Sequence, residues 1–340
     1  MKGIVSAQKI AELSVSINTA LTAMMTTDES MWRKIAFVDD GGSTDGQLRG
    51  EMTLGKTGET VRFPFSPVVD GMAVWEYGTT KGESQEVIIS VDVEMKRYSM
   101  ENDKVLYVHR GDPYGSLAGK QATIISRAGM LPDRVIATLL NTNPTCSFDA
   151  LSFFNTAHKV DPTDAAKGTW SNDITCTDGE WASGVGHAKL LDALGKIKWM
   201  DGQSKDSVLA RPSIIVPDEL RASTAAEFVN GTIVPRAVGS SAASGNNPFL
   251  GRFDAIYTLG ALFNNSPTGD VGKYVYVIAA PNPVQAGIIV VPTQLPTFYI
   301  SGLDPSDECR RKQGAVIYGW ESYMGIGLGL PHMMVRMKIG

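Results

Sequence analysis

Cysteine and histidine are scarce in this chain of 340 residues, with three of the first and four of the second. That scarcity removes whole classes of chemistry. Cys146, Cys176 and Cys309 show no metal-ligand spacing, and an odd number gives no closed disulfide framework, so they read as reduced, buried thiols. Among His109, His158, His187 and His332 no two stand four residues apart, so the helical zinc pair is missing. Neither a Walker loop nor a Gly-x-Ser-x-Gly elbow occurs. Gly325, Gly327 and Gly329 have the look of a dinucleotide loop, but Pro331 follows at once, so no helix N-terminus can meet a pyrophosphate. They read instead as glycines that let backbones approach inside a sheet. His158 lies near Asp149 and Asp161, which could orient it as a base, but no activated nucleophile accompanies it. A structural histidine is the plainer reading. No catalytic residue, metal or cofactor is expected.

Long apolar runs are lacking too. No stretch approaches the ~18–20 residues that span a bilayer, and the apolar run after Lys2 is broken by Gln8, Lys9 and Glu12, unlike a secretory leader. A soluble chain made in the cytoplasm, with no membrane partner, is the expectation. Basic charge is also in short supply. The 31 Lys and Arg against 36 Asp and Glu leave a formal charge of −5, with no concentrated basic face to grip phosphates. The short runs Arg310 to Lys312 and Lys96, Arg97 and Lys104 read as solvated charge, or as partners for acids such as Glu83 and Glu86 on a neighbouring copy.

What the chain does hold is a hydrophobic fraction of 43%, enough for two compact units. Ile10, Leu13, Ile17, Leu21 and Met24 recur at helical steps after Ser6, a plausible N-cap, and their stripe needs a partner to cover it. Asp112 and Pro113 open a long helix carrying Ile124, Ala128, Leu131, Val135 and Leu139. Pro132 predicts a kink or break there, with a second start at Pro132 and Asp133. Residues 142–183 are polar and loop-rich. Beyond them the pattern predicts a helix over 186–200, a strand over 213–216 and a helix opened by Pro217, Asp218 and Glu219. Strands over 274–279 and 286–291 follow, then β-like stretches from Gly314 to Met337.

Residues 50–95 read as a long β-hairpin. One arm runs from Thr60 to Phe65. On the other, Val87, Ile89, Val91, Val93 and Met95 alternate with Ile88, Ser90, Asp92 and Glu94. The intervening chain carries Trp75 and Tyr77 with several aliphatics. A two-stranded ribbon is marginal alone, so Arg62, Phe63, Phe65, Trp75 and Tyr77, with Ile10, Leu13, Ile17 and Leu21, are the candidate contacts to a second copy.

Several segments, in order, resemble the major head subunit of Mu-like phages. Trp32 to Val38 is similar to an early strand of that family, and Leu131 to Ile136 with Leu139 and Leu140 to its proline-interrupted helix. Cys146, Asp149, Phe153, Phe154 and His158 resemble its Cys-x-x-Asp-Gly-x-x-Phe-Phe-x-x-x-His-Pro pattern, with Ala150 in place of the glycine and Lys159 in place of the proline. Arg211 to Pro217 resembles its Pro-x-x-Ile-Val-Val-Pro strand. The resemblance implies an α+β protein of the Hong Kong 97-type capsid fold. Its expected layout is an N-terminal arm (1–50), an extended hairpin loop (51–90) and a peripheral domain (91–180) with a spine helix over 112–141. An axial domain (181–300) and a return to the peripheral domain (301–340) complete it. It further implies self-association into pentamers and hexamers of an icosahedral head, with scaffold, portal and decoration proteins as partners and enclosed DNA touched only weakly. An encapsulin-like compartment, an α/β enzyme and a tail sheath or tube protein are the alternatives.

Overall fold

The computed structural model describes residues 31–39, 51–55, 58–65, 89–106, 127–200, 202, 211–231, 233–235, 244–260, 262, 273–281, 285–301, 308 and 315–340, with Val15 and Thr19. In chain order these hold helix α1 (Met31–Ile35) and strands β1 (Phe37–Val38), β2 (Glu51–Gly55), β3 (Gly58–Phe65) and β4 (Ile89–Leu106). Helix α2 (Leu131–Thr142) comes next, then β5 (His158–Asp161), β6 (Asp164–Trp170) and β7 (Asp173–Cys176). Helices α3 (Asp178–Ala182) and α4 (Val185–Lys196), strand β8 (Ser213–Val216) and helix α5 (Glu219–Asn230) follow. The last strands are β9 (Ile233–Pro235), β10 (Ser244–Asn246), β11 (Ile256–Thr258), β12 (Tyr274–Ile278), β13 (Ile288–Ser301), β14 (Ala315–Leu328) and β15 (Met334–Ile339), and a 3-10 turn, Pro331–Met333, precedes β15. The class is α+β, as expected.

Local chemistry explains the helix ends. Pro132 stands in the first turn of α2, where its missing N–H is not needed, and Asn143 closes that helix in the left-handed conformation (φ 48°) with its N–H on the Leu139 carbonyl. The break expected at Pro132 thus falls at Met130, a turn between helical residues. Thr177 and Glu180 bond reciprocally to each other's backbone N–H, a capping box that starts α3. Asp218 caps α5 by accepting from the Arg221 N–H.

Two sheets carry the fold. One runs in the order β1-β13-β14-β4-β3-β2, the other β11-β8-β12-β15-β7, with the two-stranded ladders β5/β6 and β9/β10 beside them. The hairpin is present as read, with Thr60 opposite Glu94 and Phe65 opposite Ile89. Val91, Val93 and Met95 are buried while Ser90, Asp92 and Glu94 face out. Alternation on β13 places Ile288 and Val290 in one apolar cluster and Ile289 and Val291 in a second. The six-stranded sheet is therefore covered on both faces at β13.

That second cluster corrects the sequence reading of the hairpin. Its base is no free ribbon, because β4 runs on past it and pairs with β14 from Met95 to Leu106. Phe63 and Phe65 are 2% and 0% exposed, packed with Trp199, Leu330 and Met333 of the same chain. Three further readings change. Trp32 to Ile35 is helical and only Phe37–Val38 is a strand. The helix expected over 186–200 ends at Lys196, with Ile197 already extended. Lys96 and Arg97 meet Glu94 and Glu321 of this chain. Gly329 does lie in a close approach, since a Cβ there would sit 2.1 Å from the Ala286 carbonyl oxygen; at Gly325 and Gly327 the room is taken by the side chains of Val93 and Met95. The stripe from Ile10 to Met24, the chain between the hairpin arms and the expected start of the long helix at Asp112 lie outside the described residues.

Candidate functional site

The residues that carry the sequence motif converge just after α2. Asn143 clamps Phe154 from both sides: its Oδ1 accepts from the Phe154 N–H at 2.7 Å and its Nδ2 donates to the Phe154 carbonyl at 3.0 Å. The chain between them closes through Cys146 N–H to the Leu151 carbonyl and Phe153 N–H to the Pro144 carbonyl, each 2.8 Å. Within this loop Ala150 takes a left-handed φ of 59°, at the position where the resembled family has glycine. Phe153 and Phe154 pack edge to face and are almost fully buried.

Asp149 is the hub of the loop. Its Oδ1 accepts from the Cys146 thiol at 3.1 Å and the Leu151 N–H at 3.2 Å, and its Oδ2 from His158 Nδ1 at 2.9 Å and the Lys159 N–H at 3.1 Å. Burial alone would raise this carboxyl, but the bonds from His158 and Cys146 hold it down at about 2. The other imidazole nitrogen, Nε2, faces the Phe153 carbonyl at 3.1 Å. The ring stacks on Trp170 at 4.6 Å.

This chemistry is that of a clasp. Burial pushes the Cys146 thiol up to about 12, which removes it as a nucleophile at neutral pH. The fold does bring donor atoms of Cys146, Asp149 and His158 within 4.8 Å of one another, a grouping the sequence spacing did not show. Each donor is spent on another member of the group, so a cation would have to displace bonds the cluster already makes. Asp161, the other acid near His158 in sequence, turns instead to Thr163 and Lys167. Cys176 is buried and its thiol is also raised, to about 11; Cys309 lies outside the described residues.

Four features escaped the sequence reading. Fully buried Asn172 accepts from the Asn155 N–H and donates to the carbonyls of Phe153 and Pro331, tying the loop to the C-terminal turn. Arg336 makes a two-pronged pair with Asp173, 163 positions away, and lies over the rings of Phe154 and Tyr274. His332 sits among Phe148, Trp170 and Trp199. Finally, an open cleft of about 570 Å³ runs between the β6–β7 corner and α4, lined by Thr169, Thr175, Lys189, Lys196 and Lys198 among others. Two of those lysines are paired, with Glu180 and Asp192.

The candidate contacts to a second copy divide. Phe63 and Phe65 are interior, as described above. Arg62 is exposed but bonded across the strands to Asp92 at 2.8 Å. Trp75, Tyr77, Ile10, Leu13, Ile17 and Leu21 lie outside the described residues.

No protein-family model matches the chain, and no curated protein does. Solved structures do. The capsid of a native GTA particle is similar at 12% identity with a TM-score of 0.47, over 92% of this chain and 90% of that one. The procapsid of bacteriophage JBD30 is similar at 14% identity and 0.43, over 97% and 74%. A virus-like particle from Pyrococcus furiosus is similar at 11% identity and 0.43, over 96% and 100%.

Proposed function

We propose that this chain is the major capsid protein of a tailed-phage head, of the Hong Kong 97-type fold and the Mu-like kind. Many copies would close into an icosahedral shell around a double-stranded DNA genome. One observation carries the reading. The four sequence segments that resemble the head-subunit family, far apart along the chain, all feed a single apolar core. Trp32 and Ile35, Ile136 and Leu140, Cys146, Phe153 and Phe154, and Ile214 to Val216 are members of one buried cluster.

On this reading the peripheral unit is built around α2 and the six-stranded sheet, and the axial unit around the sheet holding β8, β11 and β12. The first residues, with Ile10, Leu13, Ile17 and Leu21, form an arm. The chain between β3 and β4 forms a loop, with Trp75 and Tyr77 as its anchors on an adjacent subunit. Two such side chains contribute several kcal/mol at ~25 cal/mol per Å² before ordering costs. Bonds of that size let a growing shell reject a misplaced subunit. The same contact repeated about five- and six-fold axes closes the particle. Scaffold, portal and decoration proteins are the expected partners, assembly takes place in the host cytoplasm, and the mature location is the virion. The enclosed DNA is touched weakly, in keeping with the −5 charge.

The test is the double variant Trp75→Ala with Tyr77→Ala. It should give a folded, soluble subunit whose unfolding midpoint matches the parent but which forms no particles under the electron microscope. Normal particles would remove the loop from the assembly. Uniform DNA-free shells that copurify with an enzyme would point to a cargo compartment instead.

A further inference from the structure

His187 belongs to none of the machinery above. It lies in the first turn of α4 and is 0% exposed, and neither ring nitrogen has a hydrogen-bond partner among the described residues. Aromatic rings surround it. Trp181 of α3 stacks on one side at 4.1 Å, Phe228 of α5 lies at 4.9 Å, and Phe249 and Phe253 approach at 6.3 Å. The box leaves little slack: Phe228 presses so close to Gly184 that a Cβ there would sit 2.4 Å from its ring.

Among the described residues no charge is placed to welcome a proton. On α3 the ionisable groups are Asp178 and Glu180, the latter bound to Lys189 of α4. The remaining charges of α4, Asp192 and Lys196, pair with each other. On α5, Arg221 pairs with Asp218, while Glu219 and Glu227 are exposed. After the aromatic turn come exposed Arg252 and Asp254. Strands β7 and β15 bring Asp173 and Arg336, bound to one another, with Cys176 and Lys338. None bonds to His187, and the positive end of the α4 dipole opposes a cation at this position. Burial is accordingly the cause that lowers the imidazole to about 4.

We propose that His187 is an acid-operated latch. Neutral, its ring fills the box and holds α3, α4, α5 and the 247–253 turn together; protonated, it must leave for water, and those elements part. A neutral imidazole with two idle nitrogens does nothing here that phenylalanine would not do, except respond to acid. The inference stands whether or not the chain builds a shell.

Hydrogen exchange followed by mass spectrometry tests it on the full chain, after correction for intrinsic rates. With the imidazole at about 4 in the closed box and near 6.5 once open, linkage favours opening about 30-fold more at pH 5 than at pH 8. That increase should appear in peptides covering 178–196 and 219–230, and His187→Phe should abolish it. Equal responses in both proteins would overturn the proposal. Should the variant not fold, the parent's imidazole resonance decides. Its protonation should coincide with loss of protection in α4, whereas reversible titration near pH 6.5 with protection intact contradicts the latch.

Discussion

Ala150 holds a backbone conformation that costs an L-residue about 1–2 kcal/mol, and it does so inside a loop where Asp149 already spends both carboxylate oxygens on neighbours. Ala150→Gly should relieve that strain, less about 0.4–1 kcal/mol for the freer unfolded chain. The net gain, about 0.5–1 kcal/mol, would show as a higher denaturant midpoint. Asp133 makes the opposite kind of demand. Its carboxyl is raised to about 6 by burial, although the Trp32 N–H pulls the other way, and its Oδ1 has no partner among the described residues. Because the folded value lies above the unfolded one, the stability it contributes is full below about pH 4 and lost as pH rises through 6. Asp133→Asn keeps an acceptor for Trp32 without the charge. It should therefore stabilise the chain by about 3 kcal/mol at pH 8 and by only about 0.5 kcal/mol at pH 4, read from urea midpoints at both. Residue types and short spacings made Asp149 and His158 legible as neighbours in the sequence. Asn172 and Arg336 were not legible, because their partners are brought in by strand pairing from the far end of the chain.

At the scale of elements, alternation was the trustworthy signal. It located β4 and its pairing with β3, and the buried strand β8 was read to the residue. The same signal does not say what covers the apolar face. Phe65 looked like a surface offered to a neighbour, yet the cover comes from Trp199, Leu330 and Met333, residues over a hundred positions away with no local signature. Phe65→Ala should thus behave as a core truncation, costing about 3–5 kcal/mol in the isolated subunit, visible in thermal unfolding at concentrations too low for assembly. A surface anchor would cost the isolated chain almost nothing. Helix ends were legible where a cap announces them, as at Asp218. The exit of α4 was missed because Ile197, Trp199 and Met200 continue an apolar pattern that serves the sheet clusters rather than a helix.

At the scale of the molecule, the apolar face of the hairpin is covered by Trp199, Leu330 and Met333 of the same chain, so the chain completes more of its own interior than the sequence suggested. Under the proposed role, contacts to companion copies then fall to the first residues and to the chain between β3 and β4 rather than to an unfinished core. Electron microscopy of the purified, concentrated chain tests this most directly. Closed isometric particles of uniform size are the predicted result. A monodisperse monomer at every concentration, or open helical tubes, would contradict it.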